Sequence, residues 1–315
     1  MRVLITGVTG FVGRHLLNHL RSVTDWELHG WSRHLVDASS LGIPIDRVDW
    51  SLLDSVAQGI RRVQPEAVIH LAGHADAGGS FANPLAAWSG NLTPTLHLYQ
   101  AVHESGLQPR VLHVSSGSVY GRSLLQEKPV DELCALAPMS PYSASKAAGE
   151  MAALQYGHHF PIIRVRPFNH IGAGQSNHFA LANFAEQIAR IECGAAAPVL
   201  QTGNLDVERD IIDVRDMVRA YHALLMHGTP GDVYNAGRGQ PVTMRHCVEL
   251  LLQRARVPIE MQIRAERQRS IDVTKMRVSI EKLRAATNWN PTISLSETIE
   301  DVLNDWRQRI TTSTF

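Results

Sequence analysis

Arg2-Val3-Leu4-Ile5-Thr6-Gly7-Val8-Thr9-Gly10-Phe11-Val12-Gly13 opens the chain with an apolar run, three spaced glycines and the start of a periodic stripe. Residues 2–6 predict a short buried strand, and Val12, Leu16, Leu17 and Leu20 fall on one face of a following helix. In a G-x-x-G-x-x-G turn the first glycine permits the tight bend. The second lets backbone N–H groups approach a pyrophosphate, and the third lets helix and strand pack closely. A bound phosphate then meets the positive end of the helix. A strand before and a helix after set a dinucleotide site apart from an ordinary glycine turn. Gly7, Gly10, Phe11, Val12 and Gly13 are therefore candidate cofactor-binding residues.

Outward from this turn, Trp26–Trp31 predicts a second strand that ends at Ser32 and Arg33. An NAD site usually carries an acid here for the ribose 2′-hydroxyl. A serine hydroxyl and a guanidinium suit a 2′-phosphate instead, so NADP (NADPH) is the expected cofactor. Ile45–Val48 is a third strand leading to Asp49 and Asp54, either of which could reach an adenine edge. Ala67–Leu71 is a fourth, and Leu71, Ala72 and Gly73 form a turn of mostly small residues beside the cofactor. A long helix from Pro84 to Glu104 contains Asn91, and Pro94 inside it predicts a bend. Val111–Ser116 and Ile162–Arg166 complete six strands alternating with helices. This pattern predicts an α/β fold with a Rossmann-type, doubly wound parallel sheet, whose ligands bind beyond the carboxyl ends of the strands. Ser115, Ser116 and Ser118 emerge at such an end. Beyond residue 166 the alternation weakens, apart from a helix over 178–193. Residues 1–166 read as the cofactor domain and 167–315 as a smaller α/β substrate lobe, partly interleaved.

Pro141-Tyr142-Ser143-Ala144-Ser145-Lys146 carries the reactive pair. A tyrosine and a lysine four apart share one helix face, with Cβ atoms ~5–6 Å apart. A phenol titrates near pH ~10, and a fixed ammonium beside it is expected to bring it towards working pH. Such a tyrosine can give a proton to a carbonyl oxygen as hydride arrives.

Composition narrows the remaining classes. Thirty basic and thirty acidic side chains in 315 residues leave no net charge to favour nucleic acid or an anionic membrane. No apolar run approaches a membrane span, and the N-terminus enters a strand without a cleavable apolar region. Cys134, Cys193 and Cys247 are odd in number and far apart, which predicts a reducing cytoplasm rather than a disulfide frame. That setting leaves the Asn91-Leu92-Thr93 sequon idle. Sixteen histidines raise the question of a metal, yet His15 and His19 share a helix face without an H-E-x-x-H pattern. No metal site is expected.

Gly7-x-x-Gly10-x-x-Gly13, Val114-Ser115-Ser116-Gly117-Ser118-Val119-Tyr120-Gly121, Tyr142-x-x-x-Lys146 and Arg209-Asp210-Ile211-Ile212-Asp213-Val214-Arg215-Asp216 together resemble the extended short-chain dehydrogenase/reductase family. Arg166-Pro167-Phe168-Asn169-His170-Ile171-Gly172, with Gly174-Gln175, looks most like its enzymes of GDP-mannose-derived sugars, the 4-keto-6-deoxy-mannose reductases above all. The resemblance implies an NADPH-dependent reductase of a nucleotide-linked 4-keto-6-deoxy sugar. In it Tyr142 is the acid, Lys146 tunes it and binds nicotinamide ribose, and Ser116 hydrogen-bonds the ketone. It further implies that Ser118, Asn169, Arg209 and Arg269 contact substrate, and that the protein is a homodimer pairing helices 84–104 and 141–157. Ala147, Ala148, Ala152 and Leu154 would allow that close contact. The dehydratases of the family carry an acidic pair where this chain has Gly117 and Ser118. A nucleotide-sugar 4-epimerase or 4,6-dehydratase is the alternative within the family, and a non-catalytic dinucleotide-binding regulator the alternative outside it.

Overall fold

A computed structural model describes residues 1–34, 41–264 and 274–313. Strands β1 (Arg2–Thr6), β2 (Glu27–Ser32), β3 (Ile45–Arg47), β4 (Ala67–His70), β5 (Arg110–Val114) and β6 (Ile162–Pro167) lie in one sheet. A later strand, β10 (Val233–Ala236), completes it in the order β10-β6-β5-β4-β1-β2-β3, with every pair parallel. These strands are nearly continuous apolar runs because both faces are covered, as a parallel sheet requires. One face packs on helices α1 (Phe11–Val23) and α6 (Val214–His227), through Leu16, Leu20, Met217 and Tyr221. The other packs on α2 (Leu53–Val63), α3 (Pro84–Ser105) and α4 (Pro141–Tyr156), through Val56, Leu98, Val102 and Ala153. The strand order reverses between β1 and β4, which opens a crevice at their carboxyl ends.

The chain after residue 166 contributes both to this sheet and to a separate lobe. Strands β7 (Asn169–Ile171), β9 (Glu208–Asp213) and β11 (Pro241–Thr243) form a small mixed sheet. Strands β8 (Val199–Thr202) and β12 (Glu260–Ile263) form a parallel pair. Helices α5 (Ala180–Glu192), α7 (Met244–Leu252) and α9 (Leu295–Ser313) close a second core around Phe184, Ile188, Val248 and Trp306. The short α8 (Glu281–Thr287) packs Leu283 back into the core of the large sheet. Interleaving therefore runs through α6, β10 and α8.

Local rules explain the helices that bear on the crevice. Ser140 caps α4 by accepting from the Ser143 N–H at 3.1 Å, while Ser143 Oγ accepts from the Ser140 N–H at 3.0 Å. Pro141 then occupies the first turn, where no donor is needed. Helix α3 is capped by Asn83 and starts at Pro84. It continues through Pro94 as one element; Pro94 is buried, and the neighbouring Thr95 hydroxyl donates to the Asn91 carbonyl at 2.9 Å.

Candidate active site

The crevice continues into a cavity of about 1690 Å³ between the large sheet and the C-terminal lobe. Its first wall is the glycine turn. Gly7 has φ +71°, open to glycine but strained for other residues, and its N–H donates to Trp31 O at 2.9 Å. A Cβ on Gly13 would lie 2.4 Å from Gly7 O and 2.7 Å from Val8, so only hydrogen fits where α1 crosses the turn. Helix α1 begins after Gly10 with no acid in its first turn and no side-chain cap. Its first N–H groups are left for a ligand phosphate. Phe11, Val12, Leu71 and Ala72 line the same wall, and the Ala72 N–H is tied to Thr6 Oγ1 at 3.0 Å. These residues fit the pyrophosphate of a dinucleotide.

At the far end of this wall, Ser32 and Arg33 leave β2 side by side but face different surroundings. Ser32 is buried, and its hydroxyl accepts from the His34 N–H at 3.2 Å and shares a hydrogen with Thr9 Oγ1 at 3.3 Å. Arg33 is exposed, lines the cavity and donates through Nε to His34 Nε2 at 3.3 Å. Ser32 thus shapes the loop and Arg33 presents the charge. Asp49 also lines the cavity. It accepts from the Ser51 hydroxyl at 2.6 Å and N–H at 2.9 Å, and these bonds hold its carboxyl below the usual range. Asp54 lies in the first turn of α2.

Ser116, Tyr142 and Lys146 meet on the cavity floor. Ser116 follows β5, accepts from the Ser118 N–H at 3.2 Å and shares a hydrogen with the Ser118 hydroxyl at 2.9 Å. Lys146 Nζ donates to the Val114 carbonyl at 3.0 Å, and burial pushes its pKa down to about 8, opposed by the Glu150 carboxylate. The expected lowering of the Tyr142 phenol does not occur. Burial raises its pKa above the ordinary value, and a hydrogen bond with Ser116 offsets only part of this. Tyr142 is therefore protonated at neutral pH, the state a proton donor needs.

The backbone of α4 at this point is itself held. Ser145 Oγ donates to Tyr142 O at 2.8 Å and accepts from Asn91 Nδ2 at 3.0 Å, while Asn91 Oδ1 accepts from the His74 N–H at 2.8 Å. The Asn91 side chain is thus a buried bracket between α3, α4 and the turn after β4.

The opposite wall belongs to the lobe. Asn169 is exposed at the start of β7, and Arg209 on β9 donates to Glu208 O at 2.9 Å; both line the cavity. Arg269 lies outside the described residues. Gly117 lies under the Phe168 ring, where a Cβ would come within 2.7 Å of ring carbons, so this site leaves no room for a side chain.

His170 was not singled out by sequence, since its motif drew attention to Asn169. Its ring stacks parallel to Phe11, centroids 6.3 Å apart, and its Nδ1–H donates to Phe168 O at 2.9 Å. Burial lowers its pKa, opposed by that carbonyl. Asn177, Asn183 and Asn204 also reach the cavity from loops and α5. Isolated polar residues without period or motif leave no signal in a single sequence.

Among the described residues no group of three or more His, Cys, Asp or Glu is placed to hold a metal. His15 bonds Ala173 O at 2.7 Å, whereas His19 pairs with His222 at 3.1 Å. Among the described residues no helix is long and apolar enough to cross a membrane.

Residues 4–302 match the protein family described as GDP-mannose 4,6 dehydratase. GDP-6-deoxy-D-mannose reductase from Pseudomonas aeruginosa is 37% identical over 312 residues, 98% of each chain. A solved structure of RMD from Pseudomonas aeruginosa, complexed with NADPH, superposes with a TM-score of 0.87 at 36% identity. It covers 98% of this chain and 100% of that one. Thermus thermophilus UDP-glucose 4-epimerase, complexed with NAD, superposes with a TM-score of 0.86 at 28% identity, over 98% and 99% of the two chains.

Proposed function

The chain belongs to the GDP-mannose 4,6-dehydratase family, and on that premise we propose that it is an NADPH-dependent reductase of the C4 ketone of a nucleotide-linked 4-keto-6-deoxy sugar. The substrate is GDP-4-keto-6-deoxy-D-mannose and the product GDP-D-rhamnose. The observation that carries this reading is the cavity floor. Ser116, Tyr142 and Lys146 are present together, while the acid positions a dehydratase needs are Gly117, roofed by Phe168, and Ser118. Ketone reduction needs only the first set. Elimination of water needs the second.

NADPH, when bound, supplies hydride to C4. The glycine turn, Phe11 and Val12 hold its pyrophosphate, Arg33 faces its 2′-phosphate, and Asp49, Leu71 and Ala72 border its adenosine and ribose. Ser116 hydrogen-bonds the ketone oxygen, a bond that strengthens as negative charge develops there. Tyr142 gives that oxygen its proton, and the Lys146 ammonium stabilises the phenolate left behind. Ser118, Asn169 and Arg209, with Arg269, anchor the sugar and diphosphate, so remote binding orients C4. The cofactor domain spans 1–166 and the substrate lobe 167–315, with α6, β10 and α8 returning to the large sheet.

The deciding assay gives the purified protein GDP-mannose alone, then the 4-keto sugar with NADPH, and identifies products by mass spectrometry. NADPH oxidation with formation of a GDP-6-deoxyhexose is expected only in the second mixture. Turnover of GDP-mannose alone would make the protein a dehydratase, and activity confined to dTDP- or UDP-linked ketones would move the substrate.

The same reading includes a homodimer in a reducing cytoplasm, where Cys134, Cys193 and Cys247 remain free thiols. Leu85, Trp88 and Leu96 of α3, with Met151 and Leu154 of α4, are exposed and suit an isologous helix contact. Light scattering at micromolar concentration should give twice the 34.8 kDa chain mass; a monomer would contradict it.

A further inference from the structure

One charged side chain beneath the active site has no part in the chemistry above. Glu150 is fully buried and lies one helical turn beyond Lys146, on the stripe of α4 that carries Tyr142 and Lys146. Its Oε1 accepts from the Ser115 hydroxyl at 2.5 Å and from Arg166 Nε at 2.9 Å. Its Oε2 accepts from Arg166 Nη2 at 2.7 Å and lies 3.9 Å from Arg164 Nη1. Arg166 continues the chain, donating through Nη1 to Tyr120 Oη at 2.8 Å, which donates to Asn235 Oδ1 at 2.8 Å. One carboxylate thus ties the end of β5, α4 and β6, and through Arg166 it reaches β10.

A buried ion pair is costly to desolvate and is a poor device for stability alone, since an apolar pair of equal volume often serves as well. Its placement is informative here. Ser115 adjoins Ser116, and Lys146 is the neighbour of Glu150 on the helix stripe. We propose that Glu150 is a positioning residue for ketone reduction, anchoring the Ser115–Ser116 segment through the Ser115 hydroxyl and setting a buried carboxylate one helical turn from Lys146.

This rests on the roles given above to Ser116 and Lys146. The charged and titratable groups packed around Lys146 and Glu150 are His70 on β4, Tyr99 on α3, His113 on β5, Arg164 and Arg166 on β6, and Tyr142 on α4 itself. Burial raises the Tyr99 phenol well above its ordinary value, so it stays neutral. Burial holds His70 down at about 3 and His113 well below its ordinary value, so neither titrates with Lys146. Burial lowers Lys146 as well, and Glu150 opposes that. Neutralising Glu150 therefore moves the Lys146 titration further down, from about 8 towards neutral pH, where less of the ammonium survives.

The chain has four lysines, Lys128, Lys146, Lys275 and Lys282, so lysine side chains labelled with carbon-13 can each be followed by NMR as pH is raised. In the wild type Lys146 should titrate near pH 8. Glu150→Gln should raise its acid dissociation constant ~10-fold or more, one pKa unit being one decade. It should also cut kcat ~10-fold, with KM for the ketone changed less than ~3-fold. Glu150→Asp keeps the charge and should keep the Lys146 midpoint. The double variant Glu150→Gln/Arg166→Met removes the stranded cation and guards against misfolding; its Lys146 midpoint should stay low. Ser115→Ala should lower kcat without moving that midpoint. An unmoved Lys146 titration in both variants lacking the carboxylate would overturn the electrostatic role. Wild-type kcat in Ser115→Ala, or its return in the double variant, would overturn the positioning role. The NMR readout needs no substrate, so it is independent of whether the sugar has been assigned correctly.

Discussion

The two walls of the cavity are built on different plans. The cofactor wall and floor are organised before any ligand arrives. Gly13 packs on Gly7, Lys146 bonds Val114 O, and Asn91 brackets Ser145, which in turn holds the Tyr142 carbonyl. On the lobe wall, Asn169, His178, Phe179 and Asn204 are exposed and come from three separate stretches between β6 and β9. Groups fixed in the geometry of reaction act on the transition state, whereas exposed groups that gain a partner on binding act on ground state and transition state alike. Damage to the floor should therefore appear in kcat and damage to the lobe wall in KM.

Tyr142→Phe tests the floor with the largest expected effect. The ring stays and only the hydroxyl is lost, so NADPH affinity should hold while kcat falls ~10²–10⁴-fold. Single-turnover kinetics, with NADPH binding followed by fluorescence, separate the two quantities. Near-wild-type turnover would remove Tyr142 from its role and with it the contrast between the walls.

The same contrast explains what was legible in the chain. Strands β1 to β6 announce themselves because buried parallel strands must be apolar throughout, and the glycine turn and the Tyr142/Lys146 pair are local motifs fixed by short-range geometry. Their observed ends differ from expectation by one or two residues, as at β2, which begins at Glu27 rather than Trp26. Less legible was anything that depends on a distant partner. The pKa of Tyr142 responds to burial that its own motif cannot report. The stacking of His170 on Phe11 joins residues far apart in sequence. Glu150 could have been noticed, as the only acid in a helix of mostly small residues, four places after Lys146. Its partners Ser115 and Arg166 come from two other strand ends, and no spacing rule links them.

Arg33 is an exposed side chain on the cofactor wall, so it sharpens the comparison from within one side. A charge-assisted bond to a 2′-phosphate contributes ~1.5–3 kcal/mol, roughly 10- to 150-fold in discrimination. Arg33→Ala should lose most of the preference for NADPH over NADH while kcat with saturating NADPH changes little. Competition between the two cofactors gives the ratio directly. A wild type that prefers NADH would refute the reading of this loop.

Asn169→Ala should have the smallest effect and bears on the lobe wall alone. Asn169 begins β7, whose backbone is paired with β9 from Asn169↔Ile211 to Ile171↔Asp213, so removing the exposed side chain leaves that pairing intact. A neutral hydrogen bond contributes ~0.5–1.5 kcal/mol net, or roughly 2- to 10-fold in affinity. The loss should fall on KM for the nucleotide sugar, with kcat and NADPH affinity unchanged, because the amide is fixed by nothing on the floor. Initial rates at varied sugar and saturating NADPH would measure it. A fall in kcat with unchanged KM would mean that Asn169 acts on the transition state, and the division between a catalytic floor and a binding wall would fail at the residue adjoining Phe168, the roof of Gly117.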